Sequence, residues 1–255
     1  RFLLPPEQVD AHWSARVFPN LFKTDIVVGD QQTREAWRQK YASPSGQRYL
    51  EGIRARLEGK GVVVPGEDYF FDLGHVVVIG TPKHGQEENN PNSEILQPNE
   101  AHRELEIALY ARERMYADKR VRFGYIYRNF GRSGGATQPH EHSQIKAFTE
   151  TTPQRTLDMQ IKTFEEQPDL MKRVVDFARD KRWIIDDGER VVAFAVPWEE
   201  TNGVWIAYKG QERSLHDLDA EARRELSHAV QNAMEKMKRG GSAGLNVGFF
   251  DTHPN

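Results

Sequence analysis

Twice along its 255 residues the chain passes through a similar order of segments, the second time in weaker form: short β-branched or aromatic runs, one long amphipathic stretch, and a further apolar run. In the first half these are Tyr69-Phe70-Phe71, Val76-Val77-Val78-Ile79, the stretch from Glu100 to Tyr116 with Leu105, Ile107, Leu109 and Met115 among Glu and Arg, and Phe123 to Tyr127. In the second half, after a connecting helical region from about Thr156 to Lys181, they are Trp183-Ile184-Ile185, Val191 to Val196 and Val204 to Tyr208. A helix from the N-cap Asp219 to Lys238 and a run from Asn246 to Phe250 complete the set. The order predicts an α+β protein of two related units side by side, each an antiparallel sheet with a long helix packed on it. The expected division is 1–150 and 151–255, with the second unit truncated where its last strand would come. Asp25-Ile26-Val27-Val28 reads as a further strand, and Lys83 to Asn99 as a loop. Thr33 to Leu57 reads as a charged insertion interrupted at Ser43-Pro44-Ser45-Gly46.

One segment of the first half has no counterpart in the second. Asn129-Phe130-Gly131-Arg132-Ser133-Gly134-Gly135-Ala136 is a glycine-rich turn, and His140-Glu141-His142-Ser143-Gln144 follows it. In an extended strand side chains two apart share a face. His140, His142 and Gln144 are thus expected on one face, and Glu141 and Ser143 on the other.

Composition narrows the chemistry. With 38% hydrophobic and 29% charged residues, the chain can bury a sizeable core. A net charge of −3, with basic and acidic residues interspersed, argues against nucleic acid as a partner. No apolar run approaches the roughly 20 residues that span a bilayer, and no secretory pattern opens the sequence, so no membrane role is expected and the cytoplasm is the expected location. The first residue is Arg1 rather than methionine, so an upstream segment removed or left out is an expectation. The absence of cysteine excludes disulfides and thiolate zinc sites within these 255 residues, leaving His, carboxylate or water for any metal held by them alone.

Asn129, the glycine turn and His140-Glu141-His142-Ser143-Gln144 resemble the H-x-H-x-Q motif of the galactose-1-phosphate uridylyltransferase branch of the histidine-triad superfamily. Further matches follow in the family's order: Val17-Phe18-Pro19-Asn20, Gly74-His75-Val76-Val77-Val78 with Thr81-Pro82-Lys83-His84, and Val192 to Trp198 with Trp205-Ile206-Ala207-Tyr208-Lys209. The resemblance implies two histidine-triad-like repeats, a nucleotidyl-transfer activity, a nucleotide sugar and a sugar phosphate as substrates, and a homodimer. It also implies that Asn20 contacts the nucleoside and Asn129 the phosphates. Relatives often hold zinc with a cysteine pair and two histidines matching His84 and His140, so these two remain the candidate metal ligands, and no organic cofactor is expected. Glu141 stands where the uridylyltransferases usually have proline, a departure that bears on sugar-phosphate specificity.

Imidazole is neutral near pH 7 and forms a labile phosphorus adduct, which suits His142 as the nucleophile on the α-phosphorus of a nucleoside diphosphate sugar. Gln144 is expected to donate to a non-bridging oxygen, and His140 to ligate metal or orient the nucleophile. Backbone amides from Ser133 through Gly134 and Gly135 to Ala136 form an expected phosphate cradle, with Arg132 and Lys209 as further phosphate contacts. His75, His102, His216 and His228 read as ordinary structural histidines. Three other readings compete. Phosphate or water as acceptor makes the protein a phosphorylase or hydrolase on the same fold, and a non-catalytic nucleotide binder is a further option. A cupin-like metal barrel also uses Gly134 before H-x-H, but it wants a glutamate where Lys146 and Ala147 stand, and it fits poorly with two long helices.

Overall fold

The β-branched run Val76-Val77-Val78-Ile79 and the histidine motif alternate in phase, and the sheet they form follows from that phase. In a computed structural model, residues 16–20, 35, 38, 39, 41–59, 74–80, 98–136, 140–148, 159, 162, 163, 165–197 and 203–251 are described. The first sheet is antiparallel and consists of β1 (Arg16–Pro19), β2 (His75–Ile79), β3 (Phe123–Phe130), β4 (His142–Phe148) and β8 (Leu245–Phe249), in the order β1-β2-β4-β3-β8. The register sets Val76 opposite Ile145 and Val78 opposite Ser143, so these residues share the back face. Val77 opposite Gln144 and Ile79 opposite His142 share the front.

The back face carries the core. Val76, Val78, Ile126, Ile145 and Ala147 pack against Leu105, Ala108, Leu109 and Met115 of helix α2 (Pro98–Tyr116). Helix α4 (Ala220–Arg239) lies beside α2 and extends the same core through Ala222, Leu226 and Ala229 to the second sheet. That sheet is β5 (Ile184–Asp187), β6 (Val191–Val196) and β7 (Gly203–Tyr208), antiparallel in the order β5-β6-β7. The near-continuous apolar run of β6 is what a strand covered on both faces requires. Val191 joins the α4 side, while Val192, Phe194 and Val196 meet Val175 and Ala178 of helix α3 (Leu170–Asp180).

Two antiparallel sheets covered by long helices give the α+β fold expected from the sequence. Asp219 caps α4 as expected, accepting from the Ala222 amide at 2.7 Å. β8, which the order of segments assigns to the second unit, pairs instead with β3 of the first sheet, Phe130 opposite Leu245 and Ile126 opposite Phe249. The reason is apolar: Leu245, Val247 and Phe249 share a cluster with Phe130 and with Val230 and Met234 of α4. The expected break at Ser43-Pro44 is in fact the start of helix α1 (Pro44–Glu58). Ser43 Oγ accepts from the Gly46 amide at 3.1 Å, and proline suits a first helical turn because its missing N–H would be unpaired there. The same reasoning places Pro98 inside α2 rather than in the preceding loop. Asp25–Val28, Tyr69–Phe71 and the stretch 83–97 lie outside the described residues. No helix among the described residues is long and apolar enough to cross a membrane.

One ion pair ties the layers together. Arg112 of α2, fully buried, donates to both carboxylate oxygens of Asp251, just beyond β8, at 2.6 and 2.7 Å. Asp251 also accepts from the Leu215 amide at 2.7 Å, before α4. A Cβ on Gly124 would stand 2.7 Å from Arg112 Cγ, so glycine at that point of β3 makes room for the side chain. Asp251→Asn keeps the shape but leaves the guanidinium uncompensated, and should lower unfolding free energy by about 3–5 kcal/mol in urea denaturation.

Candidate active site

β4 turns His142 and Gln144 to the front of the first sheet, away from the core that Ile145 and Ala147 enter behind them. His142 is 8% exposed. Its Nδ1 lies 2.8 Å from the carbonyl oxygen of His140. A carbonyl only accepts, so Nδ1 carries the hydrogen, and the lone pair of the neutral ring is on Nε2. The fold thus presets the tautomer that a nucleophile needs.

Gln144 is held by groups from three other segments. Its Oε1 accepts from Asn20 Nδ2 at 3.0 Å and from the Tyr127 hydroxyl at 3.1 Å. His75 Nε2 is 3.1 Å from Gln144 Oε1 and also from Asn20 Nδ2 and the Tyr127 oxygen. The Asn20 amide donates to the His75 carbonyl at 2.7 Å, which fixes the end of β1 against β2. Gln144 is thus anchored through its oxygen, and its NH2 group is the donor that these bonds do not use. Asn20 therefore sits at Gln144, beside the strand that carries His142.

His75 was expected to be ordinary, and Tyr127 had no expected role. The only local signal for His75 is a polar residue at the start of an apolar run. Its importance depends on the β2–β4 register, which joins residues 69 apart in sequence. Burial pushes the Tyr127 phenol up to about 12, with neighbouring Tyr125 adding to the effect. Tyr125 stacks on Tyr127 with ring centroids 5.4 Å apart.

The glycine turn packs against the approach to β8. Gly131 has φ +68°, and a Cβ there would meet the Ala243 carbonyl oxygen at 2.5 Å. Gly134 and Gly244 touch so closely that a side chain on either would collide with backbone. The turn uses its own amides: Gly134 N donates to Gly131 O at 3.1 Å, Gly135 N to Arg132 O at 3.0 Å and Ala136 N to Gly131 O at 3.0 Å. In this conformation those three amides of the expected phosphate cradle are already engaged. Asn129 lies opposite Asn246 of β8. With the Asn246 amide turned to satisfy its neighbours, its nitrogen donates to Asn129 Oδ1 at 3.0 Å and to Gly134 O at 2.7 Å.

The remaining expected residues are dispersed. Arg132, Ser133 and Gly135 are exposed on the turn. Lys209 follows β7 in the second sheet, where it pairs with Asp187 at 2.7 Å and donates to the Gly188 carbonyl. His84 lies outside the described residues, as do Thr137 to Pro139. Among the described residues no three His, Cys, Asp or Glu side chains converge as metal ligands.

Solved structures share this fold. A uridylyltransferase matches at 16% identity with a TM-score of 0.65, covering 98% of this chain and 71% of its own. A uridylyltransferase mutant matches at 15% and 0.64, covering 95% and 72%. An ADP-glucose phosphorylase from Arabidopsis thaliana with bound ADP-glucose matches at 19% and 0.59, covering 96% and 66%. The chain therefore spans about two thirds of the length of these proteins. The family model described as "Domain of unknown function (DUF4921)" matches residues 9–235. No curated protein matches the chain.

A phenol whose folded pKa is raised contributes stability that is full below pH 10 and is lost as pH rises through the folded value. For Tyr127 that window runs from the ordinary 10.0 to about 12. Subtracting the phenolate absorbance titration of Tyr127→Phe from that of the parent should leave one group with its midpoint near 12. A midpoint near 10 would mean that the hydroxyl is solvated and does not hold Gln144.

Proposed function

The chain belongs to the DUF4921 family, and from the geometry around His142 we propose that it is a nucleotidyltransferase acting on a nucleoside diphosphate sugar through a nucleotidyl-histidine. The observation that carries this reading is the Nδ1–H to carbonyl bond of His142, which puts the lone pair on Nε2 on the same face as Gln144. In the first half-reaction Nε2 attacks the α-phosphorus. The N–P bond forms, the bond to the bridging oxygen breaks, and a sugar phosphate leaves with that oxygen. In the second, an oxygen of the acceptor sugar phosphate attacks the same phosphorus, and the N–P bond breaks to return the free imidazole. Each half-reaction displaces one group by another, so ping-pong kinetics follow.

Gln144 serves the charge that builds on the non-bridging oxygens. Its carboxamide is immobilised by Asn20, Tyr127 and His75, so its N–H groups need no reorganisation as that charge appears. His140 acts through its carbonyl, by holding the ring. Asn129 and Arg132 stand where the chain enters the motif and are proposed to meet phosphate oxygens. Asn20 would meet the nucleoside from the opposite side. Lys209, the weaker candidate, is engaged by Asp187 in the second sheet.

A second reading changes only the acceptor. The likeness to an ADP-glucose phosphorylase at 19% identity favours inorganic phosphate as a candidate for the second half-reaction, with a nucleoside diphosphate as product. Incubation with nucleotide sugar alone, then with phosphate or with sugar phosphate, separates the two by product.

His142→Gly should gain no mass with any nucleotide sugar, whereas the parent gains one nucleotidyl group, a nucleoside monophosphate less one water, in intact-mass spectrometry. An undiminished adduct in the variant would remove the assignment. Gln144→Ala should still form the adduct, but roughly 100- to 1000-fold more slowly, as single-turnover quench kinetics would show.

A further inference from the structure

Directly behind His142 lies a group of charges that the proposed reaction does not use. Arg128 of β3, Glu104 of α2 and Glu141 and Ser143 around β4 are each no more than 5% exposed. Arg128 Nη1 donates to Glu141 Oε1 at 2.8 Å, Nη2 to Glu104 Oε1 at 3.1 Å and Nε to Ser143 Oγ at 3.2 Å. Ser143 Oγ also donates to Glu104. Burial works against the Arg128 charge, but Glu104 and Glu141 outweigh it and hold the guanidinium above its ordinary value.

Such a cluster is an expensive way to stabilise a core. Well-packed apolar side chains of similar volume often serve stability equally well, because they incur no desolvation of charge. Its placement supplies the other reason. Glu141 and Ser143 are the residues on either side of His142, and both face backwards because the strand alternates. The carbonyl that fixes the His142 ring belongs to His140, so it lies in the peptide unit whose nitrogen is that of Glu141. Arg128 grips that peptide through Glu141 and the following residue through Ser143, which its register sets directly opposite. Glu104 reaches from the helix and fixes the guanidinium in depth.

We propose that Arg128 is a positioning residue for the reaction at His142: by holding Glu141 and Ser143 it sets the peptide planes on both sides of the nucleophile, and thereby the tautomer and the aim of its ring. It touches no substrate. The role rests on reading His142 as the nucleophile, but it has a physical readout that needs no turnover.

The test compares the parent with Glu141→Gln, which preserves size and one acceptor, with Arg128→Lys, which preserves charge but not the fork, and with an apolar triple variant, Arg128→Met/Glu104→Met/Glu141→Met. NMR of isotopically labelled histidine nitrogens near pH 8 reports the His142 tautomer, assigned by its loss in His142→Gly. Single-turnover kinetics report the rate constant and the half-saturating donor concentration separately. The parent should hold the Nδ1–H tautomer, and every variant should shift toward a mixture. The rate constant of adduct formation should fall at least ~10-fold, with half-saturation moved less than about threefold. An unshifted tautomer and an unchanged rate constant in the variants that remain folded would overturn the proposal, however far their melting temperatures moved. A parent that forms no adduct would sink the transferase reading alone. The tautomer would then still decide the role of Arg128, a shift supporting it and no shift overturning it.

Discussion

The two-residue period of β4 is the constraint on which the site depends. One strand has to present a reactive face to the front and an anchoring face to the interior, and alternation lets adjacent residues do opposite tasks. His142 and Gln144 face forward, while Glu141 and Ser143 face back into the ionic cluster and Ile145 and Ala147 into the apolar core. A slip of one residue would turn the imidazole from the front face into the apolar core and carry Glu141 and Ser143 away from the partners that satisfy them. The apolar core thus guards the register, and the register places the chemistry.

Neighbouring strands reinforce that register from both sides. β3 stitches to β4 on the front through Tyr127 and Gln144, and on the back, one residue on, through Arg128 and Ser143. β2 adds His75 on the front and Val76 and Val78 behind. β8 closes the other side of β3, and glycines let its approach lie against the turn that feeds the histidine motif. The two halves of the sequence therefore meet at the turn before the histidine motif, with Asn246 of β8 bonded to Asn129 and Gly134.

How much of this was legible in the sequence depended on whether the signal was local. The alternation of 140 to 148 is local, and so are the amphipathic helices and the Asp219 cap, and these could be read directly. The helix beginning at Pro44 was also encoded locally, but proline between serines looks alike whether it ends a helix or starts one; the Ser43 cap to Gly46 decides it. His75 and Tyr127 were not legible as partners of Gln144, because that depends on two strand registers rather than on either neighbourhood. The strand after α4 was legible as a strand, whereas its pairing with β3 depended on which apolar surface was left open. The glycine turn suggested free amides, but tight turns consume their own N–H groups, and this one uses three.

Two kinds of restraint converge on the front face of β4, and they are not interchangeable. The polar cluster of Asn20, His75 and Tyr127 acts on Gln144 and leaves the His142 ring untouched. The ionic cluster acts on the peptide units around His142 and leaves Gln144 untouched. A reaction that needs both an in-line nucleophile and a fixed donor loses roughly 100-fold for a displacement of about 1 Å in either. Supporting each from a different face of the sheet lets one be perturbed while the other stays in place. On the proposed reading it also accounts for the many side chains around β4 that would never meet a substrate: front-face groups fix Gln144, and buried groups fix the strand that carries His142.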